Sequence, residues 1–178
     1  MTATAAPESI TVARANAPHV AVIGAGLAGL VTALRLRRAG ARVTLVTKGV
    51  GGLQLGQGTI DLLGYDPERV TNPAKGIEAF AAKHPEHPYA KIGVEAVRSG
   101  VELLSEILGE KLVSGSADEN VLVPTAVGAA RPTAFIPESM KAGVLHGDAK
   151  MVIIGVAQYK DFHPSLIAQN LSRTVLPD

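Results

Sequence analysis

The feature that most constrains this chain is Gly24-Ala25-Gly26-Leu27-Ala28-Gly29, a G-x-G-x-x-G spacing placed directly after a short β-branched run and directly before a segment of helical periodicity. That context gives the spacing its meaning, because three glycines alone are common in loops. Val20 to Ile23 predicts a strand buried on both faces. Leu27, Leu30, Val31 and Leu34 recur at helical spacing up to Ala39, Arg35, Arg37 and Arg38 crowd the last turn, and Gly40 stands where a helix-ending glycine belongs. Arg42 to Thr47 is again β-branched. Strand, tight turn, helix and strand thus succeed one another within residues 19–48, the layout of a dinucleotide-binding βαβ unit. In such a unit Gly24 permits the tight turn, Gly26 lets a pyrophosphate approach the backbone, and Gly29 lets the helix pack on the strand. The free amides around Leu27 and Ala28 then face the anion, with the helix dipole in their favour.

The end of the second strand departs from the usual pattern. A carboxylate about 20 residues after the glycines ordinarily accepts the adenosine ribose hydroxyls, but here Thr47 stands in that place, followed by Lys48. A hydroxyl and an ammonium can meet a ribose or a phosphate, yet they lack an acceptor of carboxylate strength. Standard FAD, FMN and a phosphorylated dinucleotide therefore all stay open, and Lys48 reads equally well as a solvated surface lysine.

A length of 178 residues, 47% apolar and 19% charged, predicts one folded domain over 18–178 behind a loose extension at 1–17. The small polar residues of that extension do not form a secretory signal. From Gly49 to Gly64 the glycine density predicts loop, and Asp66-Pro67 and Asn72-Pro73 predict turns. After His84 to Tyr89, the residues Val94, Val97, Val101, Leu104 and Leu108 share one face of a predicted helix. Asn120 to Pro137 reads as short extended pieces, Met151 to Val156 as a buried strand, and Asp161 to Arg173 as a helix with Pro164 in its first turn.

A net charge of +1 gives no general footing for nucleic acid. The absence of cysteine excludes a disulfide framework, a redox dithiol and an iron-sulfur cluster ligated from within the 178 residues. No metal site is expected, and the apolar run from Val20 to Leu34 is shorter than a membrane span and broken by glycines. His87, His146 and His163 have the chemistry for proton transfer and Arg131 could clamp a phosphate, but for each a structural role is the stronger expectation.

Laid end to end, these segments resemble the B subunits of the anaerobic glycerol-3-phosphate dehydrogenases. The resemblance is carried by GAGLAGL at 24–30, LVTKG at 45–49 and GTIDLLGY at 58–65. It continues in His87-Pro88-Tyr89 with Lys91 and Gly93, in NVLVPTAVGAARPT at 120–133, and in Gly155 with Asp161-Phe162. The first of these is shared by many flavoproteins, whereas GTIDLLGY and PTAVGAARPT are far more particular. The resemblance implies an α/β, FAD/NAD(P)-binding Rossmann-like fold with a parallel sheet, truncated relative to longer family members that carry a later segment closing the flavin site.

It further implies FMN or FAD as cofactor, held by Gly24, Gly26, Leu27, Ala28, Gly29, Thr47 and Lys48. The implied reaction is oxidation of sn-glycerol 3-phosphate to dihydroxyacetone phosphate, with electrons delivered to quinone. The implied partners are a catalytic sibling flavoprotein subunit and a membrane-bound iron-sulfur subunit, which would hold the chain at the cytoplasmic face of the membrane. No residue is identified as the catalytic base. A flavin-binding electron-relay subunit without substrate chemistry, and an inactive fragment, remain alternatives.

Overall fold

The structure is a computed structural model that describes residues 16–109, 111–148 and 150–176. Most of the predicted N-terminal extension lies outside the described residues. The chain falls into two compact units, one ending at Gln57 and the other beginning at Gly58.

The first unit is built from strand β1 (His19–Ile23), helix α1 (Leu27–Arg38) and strand β2 (Arg42–Val46). β1 and β2 pair in parallel with Val22 opposite Leu45, so the crossover through α1 makes a Rossmann-like βαβ. The sequence explains the stop after α1. Gly40 adopts a positive φ of 88°, its N–H bonds to the Arg37 carbonyl, and the Ala41 N–H reaches back to the Leu36 carbonyl, both at 3.0 Å. These are the two bonds of a Schellman motif, which needs a left-handed residue and so favours glycine. Arg35, Arg37 and Arg38 in the last turn complement the negative end of the helix dipole.

The expectation that β1 is buried on both faces needs correcting. Val22 is buried, but Ile23 is 86% exposed and α1 holds no buried residue. Two strands and one helix cover one sheet face only. Among the described residues no third strand pairs with β1 or β2.

The second unit contains α2 (Pro73–Lys83), α3 (Pro88–Leu108), β3 (Val113–Gly115), β4 (Val121–Pro124), β5 (Ala130–Thr133), β6 (Phe135–Pro137) and α4 (Pro164–Leu171). β3 pairs antiparallel with β6, and β4 with β5. One core joins Ala74, Val101, Val113, Ala117, Ala134 and Phe135, with Ile60, Leu62 and Val94 packed against it. A smaller cluster gathers Leu122, Ala130 and Leu145, bordered by Leu171 and Leu176.

Helix α2 stands where the sequence predicts only a turn. Asn72 is its N-cap, accepting the Lys75 N–H on its side-chain oxygen at 2.9 Å, and Pro73 fills the first helical position. Both residues suit a helix start as well as a turn. α3 follows the predicted apolar face through Val94 and Val101, though Leu103 is buried rather than Leu108, and Gly93 (φ 77°, ψ 161°) interrupts the helix near its start. α4 is shorter than the expected 161–173: it begins at Pro164, which keeps its place in the first turn, and ends at Leu171.

The predicted strand at Met151 to Val156 is not formed. The segment has no regular secondary structure, and Val152 and Ile154 are 86% and 78% exposed. Its β-branched residues favour an extended chain, but a strand needs a ladder partner, and among the described residues none pairs with it.

Candidate functional site

The glycine turn between β1 and α1 assigns each glycine a separate duty. Gly24 holds a φ of 105°, a conformation that side-chain-bearing residues rarely adopt, and its N–H extends the ladder to the Val46 carbonyl at 2.8 Å. Gly29 is a contact glycine. A Cβ there would lie 2.0 Å from the Gly24 carbonyl oxygen and 3.7 Å from Val22 Cγ1, so only a hydrogen lets α1 sit this close to the strand and turn. Gly26 is different again, since it has ordinary angles (φ −73°, ψ 175°) and a Cβ on it would meet nothing within 4 Å. Nothing among the described residues requires glycine at 26.

What Gly26 leaves open lies at the N-terminus of a 12-residue helix with no side-chain cap and no acidic residue in its first turn. The Leu30 N–H closes the first helical bond, to the Gly26 carbonyl, at 3.0 Å. The amides before it, including those of Leu27 and Ala28, have no intrahelical acceptor. Open space at the Gly26 Cβ position, an uncapped helix start and the positive end of the dipole fit a phosphate or pyrophosphate.

Thr47 and Lys48 follow β2 in the same unit. The Thr47 hydroxyl is engaged with its own chain, donating to the Gly49 carbonyl and accepting the Gly49 N–H at 3.1 Å. It orders the turn that leaves the strand. Lys48 is exposed. Sequence reasoning passed over Gly51, where φ is 70° and a Cβ would lie 2.6 Å from the Ala25 carbonyl oxygen and 2.7 Å from the Gly26 nitrogen. The Gly51-Gly52 doublet was the available signal, hidden within a run whose glycine density predicts plain loop.

In the second unit, residues 59–65 form a hub. Arg131 donates to Asp61 Oδ2 at 3.0 Å and to the Thr59 hydroxyl at 2.8 Å. The Tyr89 hydroxyl donates to the Leu62 carbonyl at 2.8 Å, and burial pushes that phenol above its ordinary range. The Asn120 side chain donates to the carbonyls of Leu63 and Val70, both at 2.8 Å. The segments GTIDLLGY, HPY and NVLVPTAVGAARPT, far apart in the chain, are thereby tied together.

The structure places the side candidates as follows. Arg131 spends donors on Asp61 and Thr59. His87 caps α3, its Nδ1 accepting the Tyr89 N–H at 3.1 Å. His163 occupies the N-cap position of α4. His146 bonds to Asp148, which holds that carboxyl below the usual range. No group of three or more metal-ligating side chains occurs among the described residues.

Comparison with known proteins agrees with the turn. The family described as FAD binding domain matches residues 19–175. The B subunit of the anaerobic glycerol-3-phosphate dehydrogenase of Mannheimia succiniciproducens is 35% identical over 162 residues, covering 86% of this chain and 37% of that protein. The corresponding B subunit of Yersinia enterocolitica is 36% identical over 161 residues (85% and 38%). A probable B subunit of the same enzyme from Halobacterium salinarum is 32% identical over 159 residues (89% and 37%). The chain thus spans less than two fifths of the length of these relatives. No solved structure matches it. With a parallel βαβ, a glycine turn open at Gly26 and a family match across both units, the chain belongs to the FAD binding domain family.

Proposed function

We propose that this chain is the flavin-holding part of a respiratory glycerol-3-phosphate dehydrogenase subunit. The observation that carries the proposal is the turn at Gly26, where a Cβ would meet nothing within 4 Å among the described residues and the helix N-terminus has no side-chain cap. Residues 18–178 are proposed to act as one flavin-binding domain, a reading supported by a family match that runs through both units.

In this proposal the amides of Leu27 and Ala28 bind the pyrophosphate of FAD, Gly24 shapes the turn, Gly26 admits the phosphates, and Gly29 keeps α1 against β1. Thr47 and Lys48 border the adenosine end. When bound, the flavin supplies hydride acceptance from an alcohol carbon. The chain's own residues bind and orient it. The proposed reaction is oxidation of sn-glycerol 3-phosphate to dihydroxyacetone phosphate with electrons passed on to quinone; the names of the relatives support a glycerol-3-phosphate dehydrogenase, and the quinone acceptor is part of the proposal.

Relatives named as one subunit of an enzyme imply siblings. We place a catalytic flavoprotein subunit and a membrane-bound iron-sulfur subunit beside this chain, with the chain peripheral at the cytoplasmic membrane face. That placement is compatible with the described helices, none of which is long and apolar enough to cross a membrane.

The test is anaerobic addition of sn-glycerol 3-phosphate to the FAD-loaded chain, with glycerol as control, while the visible flavin absorption is followed. Bleaching by the phosphorylated substrate alone supports the dehydrogenase reading. Bleaching that requires the sibling flavoprotein moves substrate chemistry to that sibling and leaves this chain as an electron relay. No bleaching in either case overturns the proposed reaction.

A further inference from the structure

We infer that Gly51 is a positioning residue of the flavin site, the point at which the segment leaving β2 is seated against the Ala25–Gly26 peptide of the phosphate-binding turn. The inference rests on the proposed function and adds to it a part of the site outside the G-x-G-x-x-G spacing. Three observations carry it. A Cβ at Gly51 would lie 2.6 Å from the Ala25 carbonyl oxygen, 2.7 Å from the Ala25 carbonyl carbon and 2.7 Å from the Gly26 nitrogen. Its partner is therefore the peptide bond that leads into the open glycine, and it is rigid backbone rather than a side chain that could swing aside. The φ of Gly51 is 70°, so both its angle and its surroundings select glycine. Finally, the segment is anchored at its root, because the Thr47 hydroxyl engages both the N–H and the carbonyl of Gly49.

The consequence is a division of labour. Thr47 fixes where the chain turns after β2, and Gly51 fixes how closely that turn lies on the Ala25–Gly26 peptide. A side chain at 51 must displace either its own segment or that peptide. Displacing the peptide swings the Gly26 backbone and, with it, the amides of Leu27 and Ala28 that the pyrophosphate needs. Two neighbouring glycines separate this effect from others. Gly52 has ordinary angles (φ −86°) and open space at its Cβ direction. Gly40 shares the positive φ, at 88°, but a Cβ there meets nothing within 4 Å. Gly40→Ala therefore reports backbone strain in the same unit without crowding the turn, and Gly52→Ala reports substitution alone.

The experiment titrates the full chain and the variants Gly51→Ala, Gly52→Ala and Gly40→Ala with FAD and with ADP, and records the 31P resonances of the bound pyrophosphate. Gly51→Ala is expected to weaken both ligands by about tenfold or more and to shift the 31P resonances, with Gly52→Ala within about twofold of the parent. Gly40→Ala is expected to melt earlier yet keep the parent resonances. Parent-like binding and 31P spectrum in Gly51→Ala would overturn the inference while leaving the flavin site standing. Failure of the unsubstituted chain to bind FAD would overturn the functional reading itself. Should Gly51→Ala not fold, amide hydrogen exchange on the unsubstituted chain decides: FAD is expected to protect residues 49–52 together with 25–28, and protection confined to 25–28 overturns the inference.

Discussion

Gly26 and Gly29 stand three residues apart, yet glycine serves a different physical need at each. A Cβ at 29 strikes the Gly24 carbonyl oxygen at 2.0 Å, whereas one at 26 strikes nothing. Gly29→Ala should therefore behave as overpacking, costing about 1 to 3 kcal/mol of stability and weakening flavin binding as the helix is pushed off the strand. Gly26→Ala should lose no more than about 1 kcal/mol, since the position is an N-cap with ordinary angles. It should still lose FAD affinity by about tenfold or more, because the new methyl group fills the space left for the phosphates. Thermal melts and FAD titrations of the two variants check this. At this scale the glycine turn was legible because each glycine serves a local need visible in the order strand, glycines, helix. Thr47 was only half legible: its place at the end of β2 could be read from the sequence, but its bonds to Gly49 depend on the turn the backbone takes afterwards.

Among the elements, α1 and its end at Gly40 could be read from spacing and terminal residues, since a Schellman motif is set by the local chain. Helix α2 was missed because Asn-Pro signals a turn and a helix start equally well, and the glycine at 76 weakens the helical pattern that would have decided it. Its cap gives a direct test. Asn72→Ala removes the acceptor of the Lys75 N–H and is expected to destabilise the chain by about 0.5 to 2 kcal/mol, with Asn72→Ser, a neutral cap that does not set a second carboxylate beside Asp118, recovering part of the loss, as read by denaturant unfolding. The stretch Met151 to Val156 shows the opposite failure. Its composition is that of a buried strand, but burial and pairing are supplied by other segments, and no local pattern states whether they are present. Met151 and Ile153 turn toward a groove lined also by Leu145 and Leu171, while Val152, Ile154 and Val156 face outward, so the two-residue alternation is kept without a ladder.

Over the whole molecule, what sequence periodicity could not show is the convergence of distant segments. Residues 59–64 fall in the stretch whose glycine density predicts loop, yet they receive Arg131, Tyr89 and Asn120. A further long-range tie joins α3 to the turn after β3, where the Arg98 guanidinium meets Asp118 with two bonds of 2.7 and 2.6 Å. The Arg98 side-chain hydrogen bond is the chief reason the Asp118 carboxyl is held below its ordinary value of 3.8. The sign follows from that direction. A carboxyl depressed in the folded state stabilises the fold above its unfolded value, and the contribution is lost as pH falls from about 3.8 through the folded value. Asp118→Asn is therefore expected to flatten the pH dependence of unfolding in that range and to leave a smaller, less salt-sensitive stability at neutral pH. Acid titrations of the melting temperature for the two proteins test it, and identical profiles would contradict the role given to the pair.

If the open turn at Gly26 holds a flavin dinucleotide, equilibrium titration of FAD fluorescence with the full chain and with Gly26→Ala will read it. Saturable binding at one FAD per chain is expected, weakened by about tenfold or more in the variant while its circular dichroism is unchanged. Absence of binding by the unsubstituted chain, or equal affinity in a folded Gly26→Ala protein, would contradict it.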